Sequence, residues 1–330
     1  MRMPKYLSPT SLMKWQENPE NYYLEYLADN RPPRFPQTQP MSVGSSFDAY
    51  TKSYLHERLF GKNNNPEFEF DTLFKGQVEE HNRDWALDAG KYVFEAYIKS
   101  GALADLSREL EQAQKEPRFE FRLEEEIEGV NLLGKPDLFY THKSGTPIIL
   151  DWKVNGFCSK RPTSPKRGYL RIRDGWGRED APSSRNAGDM HKDAHPMKHN
   201  GVNINCAEFL ETVNKQWGLQ LATYAWLCGA EIGSDFIVAL DQIVAKPRGG
   251  GLQPLLRVAE HRLLIGPDFQ RQCLRDYQSL WEIIQSDHIF RELSLEESVA
   301  RCCTLDLQHK AFKGSGDDAL DSFAREMAGR

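Results

Sequence analysis

The feature that most restricts the folds open to this chain is a change of hydrophobic period near Arg118. Upstream, apolar residues recur at helical spacing. Ser8-Pro9 reads as an N-cap followed by proline at the first helical position, leading into Leu12, Trp15, Tyr22, Tyr23, Tyr26 and Leu27. A proline-rich loop over 31–40 follows, then a helix from about 45 to 60 and two more over roughly 72–99 and 103–115. Downstream, Phe119, Phe121 and Leu123 alternate with charged residues, Glu128-Gly129 turns the chain, and 130–140 and 147–154 continue as strands. A helix containing Leu219 to Leu227, strands over 236–245 and 255–264 separated by the Gly249-Gly250-Gly251 turn, and an amphipathic helix from Pro267 to about Gln285 complete the pattern. This order predicts an α/β fold, a mixed twisted sheet flanked by helices. The expected division is a helical N-terminal region (1–117) packing on the core, a core (118–290) with an insertion at about 155–205, and a C-terminal extension (291–330), partly flexible.

No run approaches the eighteen or so apolar residues that a membrane span requires, and the first thirty residues carry no apolar signal region. A cytoplasmic protein without membrane partners is expected. The six cysteines (158, 206, 228, 273, 302 and 303) include no CxxC, and they read as reduced thiols that mostly fill the core. A formal net charge of −6 argues against indiscriminate coating of nucleic acid, but leaves room for a locally basic cleft.

Chemistry concentrates on two strands. Gly134-Lys135-Pro136-Asp137 ends one, and the apolar run Ile148-Ile149-Leu150 delivers Asp151-Trp152-Lys153 on the next. Adjacent strands joined by a short turn bring both carboxylates and one ammonium to the same end of a sheet. Two hard oxygen donors suit Mg²⁺ or Mn²⁺, with the Trp152 carbonyl as a further ligand. Period-2 alternation puts Asp151 and Lys153 on one face, so the lysine can reach a water beside the metal. A D-x-K alone also occurs on exposed hairpins.

Further elements in order make the pattern specific. The segment Leu7-Ser8-Pro9-Thr10-Ser11-Leu12 through Asn18-Pro19 to Leu27, then Gly44 to Asp48, Gly134-x-x-Asp137, Asp151-x-Lys153 and Gln220-Leu-Ala-Thr-Tyr224 resemble the PD-(D/E)xK nuclease superfamily, within it the RecB-like and CRISPR-adaptation-type exonucleases. The resemblance spans about residues 6–285 apart from the insertion. It implies a restriction-endonuclease-like core and a phosphodiester hydrolase acting on DNA, with single strands or free ends as substrate. It also implies a recombination, repair or mobile-element setting, with a helicase or recombination protein as partner. Gln220 and Tyr224, four apart on one helix face, would orient a DNA phosphate or the lysine.

The chain departs from that family in several places. Asp48 stands where the family has histidine, either as an oxygen ligand or as a helix-solvating charge. Asn18 occupies the first cysteine position of the iron-sulfur relatives, so no iron-sulfur cluster is expected. Glu120, or alternatively Glu124, is a candidate to complete the metal shell. His191, His195 and His199 recur every fourth residue, but Pro196 interrupts a helix there and zinc is not expected.

From Phe157 to Gly201 the insertion holds ten Lys or Arg against five Asp or Glu. Lys160, Arg161, Lys166, Arg167, Arg171 and Arg173, interleaved with Tyr169 and Trp176, form a candidate DNA-binding segment. Two other classes stay open: a non-catalytic DNA-binding or interaction module that keeps the fold, and a nuclease acting on RNA. No 2′-hydroxyl-reading module supports the latter, and no G-x-x-x-x-G-K-[ST] helicase motif is present.

Overall fold

A computed structural model describes residues 2–29, 31, 35–62, 64–162, 164–175, 189–190, 195–247 and 254–286. The opening helix α1 (Pro9–Glu17) begins as its sequence demands: Ser8 accepts from the Ser11 amide while the Ser11 hydroxyl reciprocates at the cap. Asn18 caps α2 (Pro19–Tyr22), which runs on through a π-helical turn, Tyr23–Leu27. The next helix, α3 (Gln39–Phe60), starts earlier than its periodicity suggests, with Pro40 in its first turn. The helix expected over 72–99 is two, α4 (Phe70–Gln77) and α5 (Arg83–Lys99), because the chain turns extended at Val78. Then comes α6 (Ala102–Glu111), ending short of the expected boundary.

The strands are β1 (Lys115–Phe119), β2 (Leu123–Ile127), β3 (Val130–Gly134), β4 (Leu138–Thr141), β5 (Pro147–Asn155), β6 (Arg171–Asp174), β7 (Asp189–Met190), β8 (Pro196–His199), β9 (Val202–Asn205), β10 (Ile237–Lys246) and β11 (Leu255–Leu263). Between β9 and β10 lie α7 (Leu210–Val213) and α8 (Lys215–Leu227), and α9 (Pro267–Gln285) follows β11. The main sheet has the order β1-β4-β5-β10-β11-β6-β7, with β5 and β10 parallel and its other pairings antiparallel. It is mixed and covered by helices on both faces, as expected of a restriction-endonuclease-like fold.

One expectation is corrected here. The 130–140 segment is not a single strand: β2 and β3 form their own ribbon, and the chain changes sheet between Gly134 and Leu138. Asp137 therefore lies just ahead of β4 rather than at the end of a strand. The insertion also contributes structure, since β6 joins the main sheet against β11 and β8 pairs with β9. Trp176, His191, the Gly249-Gly250-Gly251 turn, Cys302 and Cys303 lie outside the described residues.

Each face of the sheet has its own core. Ile149, Val238, Leu240 and Leu263 pack under α8, α9 and the opening segment, while Ile148, Leu150, Trp152, Ala239 and Ile243 pack under α3, α5 and α6. Central β10 is buried along almost its whole length, as a strand covered on both faces must be. Its two buried polar residues are satisfied. Asp241 accepts from Tyr97 (2.6 Å) and Arg262 (2.8 Å), and Gln242 donates to Asn155 (3.1 Å). Cys158 and Cys206 are exposed and Cys273 is buried, so exposed thiols are as much a feature as core filling. No helix among the described residues is long and apolar enough to cross a membrane.

Candidate active site

Alternation along β5 decides which side chains can meet. Ile148, Leu150 and Trp152 face α3 and α5, and Ile149 faces α8, so Asp151 and Lys153 share the α8 side. There α8 presents Gln220 and Tyr224 one turn apart. Gln220 joins the two strand charges: its Oε1 accepts from Lys153 Nζ at 2.9 Å, while its Nε2 donates to Asp151 Oδ1 at 3.2 Å and to the Tyr224 hydroxyl at 3.1 Å. Lys153 Nζ lies 2.5 Å from Asp151 Oδ2.

Asp137 enters from the neighbouring strand through a gap in the sheet. β4 pairs with β5 only from Leu138 opposite Leu150 onward to Thr141 opposite Pro147, so the next stretch of β5 has no β4 partner. Asp137 Oδ2 takes the place of that partner by accepting from the Trp152 amide at 3.3 Å. Its other oxygen, Oδ1, accepts from Lys52 Nζ at 3.1 Å. On its inner side the Trp152 indole donates to Tyr97 at 3.3 Å, which ties this strand to the buried Tyr97–Asp241–Arg262 network.

Two residues that the sequence reading did not single out complete the group. Lys52, on α3 with its side chain 2% exposed, lies 2.8 Å from Asp48 and 3.3 Å from Glu120 as well as beside Asp137. Gln77, the last residue of α4, donates to Asp48 at 2.9 Å and to Glu120 at 3.1 Å. Lys52 was discoverable, since it stands one turn from Asp48 on the same helix face. Glu120 reaches the site from a left-handed backbone position (φ +46°) between β1 and β2. Glu124 does not, being exposed and paired with Arg122. The cavity over this cluster is about 660 Å³, with Gly44, Lys75 and Arg83 on its rim.

The electrostatics follow from gathering four carboxylates, buried Asp151 and half-buried Asp48, Glu120 and Asp137, around buried Lys52 and half-buried Lys153, with exposed Lys135 paired to Glu120 from outside. Burial and the neighbouring Asp137 carboxylate push Asp151 up to about 7 despite Lys153, and burial pushes Asp48 up to about 6 despite Lys52. Burial would raise Asp137 too, but Lys52 and Lys153 hold it below the usual carboxylate range. Opposite charge holds both lysines above theirs against the pull of burial. A surplus of buried negative charge from hard oxygen donors fits a divalent cation such as Mg²⁺ or Mn²⁺. Among the described residues no three acidic, histidine or cysteine side chains are gathered around a vacant point. The three that do converge, Asp48, Glu120 and Asp137, converge on Lys52.

Of the basic insertion residues, Lys160, Arg161, Lys166, Arg167 and Arg171 are exposed just beyond β5. Lys166 also lies over the Trp217 ring, 4.8 Å from its centre. Arg173 is turned inward to Glu260 (2.8 Å) and Asp105, so its guanidinium holds β6 to the fold and is not displayed to solvent. His195 and His199 flank and end β8, a strand, where a helical histidine face does not arise.

Comparison with known proteins adds one family. Residues 6–169 match the model of the PD-(D/E)XK nuclease superfamily. No curated protein matches the chain. A solved structure, "Crystal structure of SSO0001", is similar over 82% of this chain and 84% of its own, at 11% identity and a TM-score of 0.25.

Proposed function

The chain belongs, through residues 6–169, to the PD-(D/E)xK nuclease superfamily, and from that premise we propose that it is a metal-dependent deoxyribonuclease, an exonuclease acting on single strands or free ends in recombination, repair or mobile-element DNA processing. The observation that carries this reading is the chain of contacts from Tyr224 through Gln220 to Lys153 and Asp151, set beside Asp137. Its components come from one strand, the link ahead of its neighbour and a helix distant in sequence, and charges gathered away from water at a cost to the fold mark a functional site.

Asp137, Asp151 and the Trp152 carbonyl would hold the divalent ion, which when bound neutralises charge developing on the scissile phosphate. Lys153 positions the attacking water, whose oxygen bonds to phosphorus as the P–O bond to the leaving sugar oxygen breaks; the water gives up a proton to solvent and the leaving oxygen takes one from it, ending as a hydroxyl. Gln220 accepts one hydrogen bond from Lys153 and Asp151 faces a second proton, which leaves one for water or phosphate. Tyr224 accepts from Gln220 and thereby sets the orientation of that amide. Lys160, Arg161, Lys166, Arg167 and Arg171 supply phosphate contacts where the strand leaves the site.

The test is cleavage of end-labelled linear and covalently closed single- and double-stranded DNA with Mg²⁺ or Mn²⁺, by the intact protein, Asp151→Ala and Lys153→Ala. Degradation from an end that both substitutions abolish is expected. Cutting of closed circles would make the enzyme an endonuclease. No cleavage of any substrate would select a DNA-binding module that keeps the fold, a reading favoured by the lysine that already occupies part of the acidic cluster.

A further inference from the structure

Asp48, Glu120 and Asp137 belong to three separate segments, α3 and the links before β2 and before β4, yet their carboxylates meet within 2.8–3.3 Å of one atom, Lys52 Nζ. Unpaired carboxylates so close in a half-buried setting repel, and cations must hold them together: Lys135 pairs with the outer oxygen of Glu120, and Lys52 faces all three carboxylates. An ammonium has three protons and here it faces three carboxylates, so its donor capacity is filled. Gln77 closes a further side with its amide, donating to Asp48 and Glu120. The result is an oxygen cage whose cation is part of the polypeptide.

Asp137 divides the acidic cluster in two. Its Oδ1 belongs to the Lys52 cage, while its Oδ2 faces the Trp152 amide on the Asp151 side. We propose that Lys52 is the resident cation of the Asp48–Glu120–Asp137 compartment, so that this chain loads one divalent ion, on the Asp137–Asp151 side, and would load two if residue 52 were short of charge. Lys52 is thus a positioning residue that fixes Asp137 from behind. The proposal rests on the metal-dependent nuclease reading.

The experiment counts Mn²⁺ bound per chain, from the free-ion electron paramagnetic resonance signal, for the intact protein and for Lys52→Met under the same conditions. One ion in the intact chain and two in Lys52→Met are expected. Two ions in the intact chain, or one in both, overturn the proposal while leaving the nuclease reading standing. No ion in either overturns both. Should Lys52→Met fail to fold in EDTA, its melting is followed with saturating Mn²⁺. Recovery of a cooperative transition supports the proposal, because the metal then stands in for the ammonium, and failure to recover overturns it.

Discussion

Gly134 lies where the β2–β3 ribbon presses on α8, and replacing it with alanine probes how tightly the candidate catalytic group is held. A Cβ there would stand 2.5 Å from Leu227 Cδ1, and 2.8 Å and 3.1 Å from Cδ1 and Cε1 of the Tyr224 ring. The leucine methyl can rotate away. The tyrosine ring, 8% exposed and rigid, can escape only by moving as a unit. Restoring ordinary contact near 3.5–4.0 Å requires a shift of about 1 Å. Overpacking of this size costs about 1–3 kcal/mol, which lowers the Tm by roughly 1.5–4 °C in a chain of this size. The same shift pulls the Tyr224 hydroxyl from Gln220, now 3.1 Å away, and Gln220 from Lys153. Displacement of catalytic groups by about 1 Å can cost about 100-fold in rate. Gly134→Ala is therefore expected to melt a few degrees low and to cleave end-labelled DNA about 100-fold more slowly, well below its Tm. Gly44→Ala is the control, since its Cβ meets nothing within 4 Å and helix propensity favours alanine by about 1 kcal/mol. Unchanged cleavage by Gly134→Ala would refute the coupling through Tyr224. Lost cleavage by a stabilised Gly44→Ala would place substrate over α3.

Other perturbations have equally definite outcomes. Tyr97→Phe leaves Asp241 and the Trp152 indole each short of a buried partner, and destabilisation of about 1.5–3 kcal/mol should appear in denaturant melts; a change below 0.5 kcal/mol, on the order of a surface substitution, would contradict it. In EDTA, Asp151 and Asp48 keep in the folded state protons that the unfolded chain, with carboxylates near 3.9, releases. Their contribution to stability is therefore fully present below about pH 4 and lost progressively as pH rises from there through about 6 and about 7. Asp151→Asn should flatten the Tm-versus-pH curve in that window, and an unaltered curve would mean that Asp151 titrates lower. Replacing Lys160, Arg161 and Arg171 together with alanine should reduce the slope of log affinity for single-stranded DNA against log salt by about 2, at about 0.7 per phosphate contact; an identical slope would remove the insertion from the interface.

Much of the site could be read from the sequence because its logic is local. Ser8 and Pro9 mark a helix start, the two-residue spacing of Asp151 and Lys153 puts them on one strand face, and the four-residue spacing of Gln220 and Tyr224 puts them on one helix face. What escaped depends on distant partners. The spacing of Lys52 from Asp48 shows one of its partners, but its place in the site appears only when Glu120 and Asp137, 68 and 85 residues away, are brought to it. Arg173 reads as a DNA contact until β6 is paired with β11 and Glu260 appears alongside. The sheet change at Pro136-Asp137 escaped because apolar alternation continues through it, while hydrogen-bond partners do not.

The opening segment has a consequence for how the chain is made. Leu7 bridges to Leu132, the apolar face of α1 and α2 is covered by α8 and α9, and Gln16 bonds Asp276, 260 residues later. At about 5–20 residues per second, a ribosome exposes Leu12, Tyr22 and Leu27 for roughly ten to fifty seconds before their last partners exist. The nascent chain must therefore keep Leu12, Tyr22 and Leu27 soluble until the helices that cover them have been made, some 260 residues later.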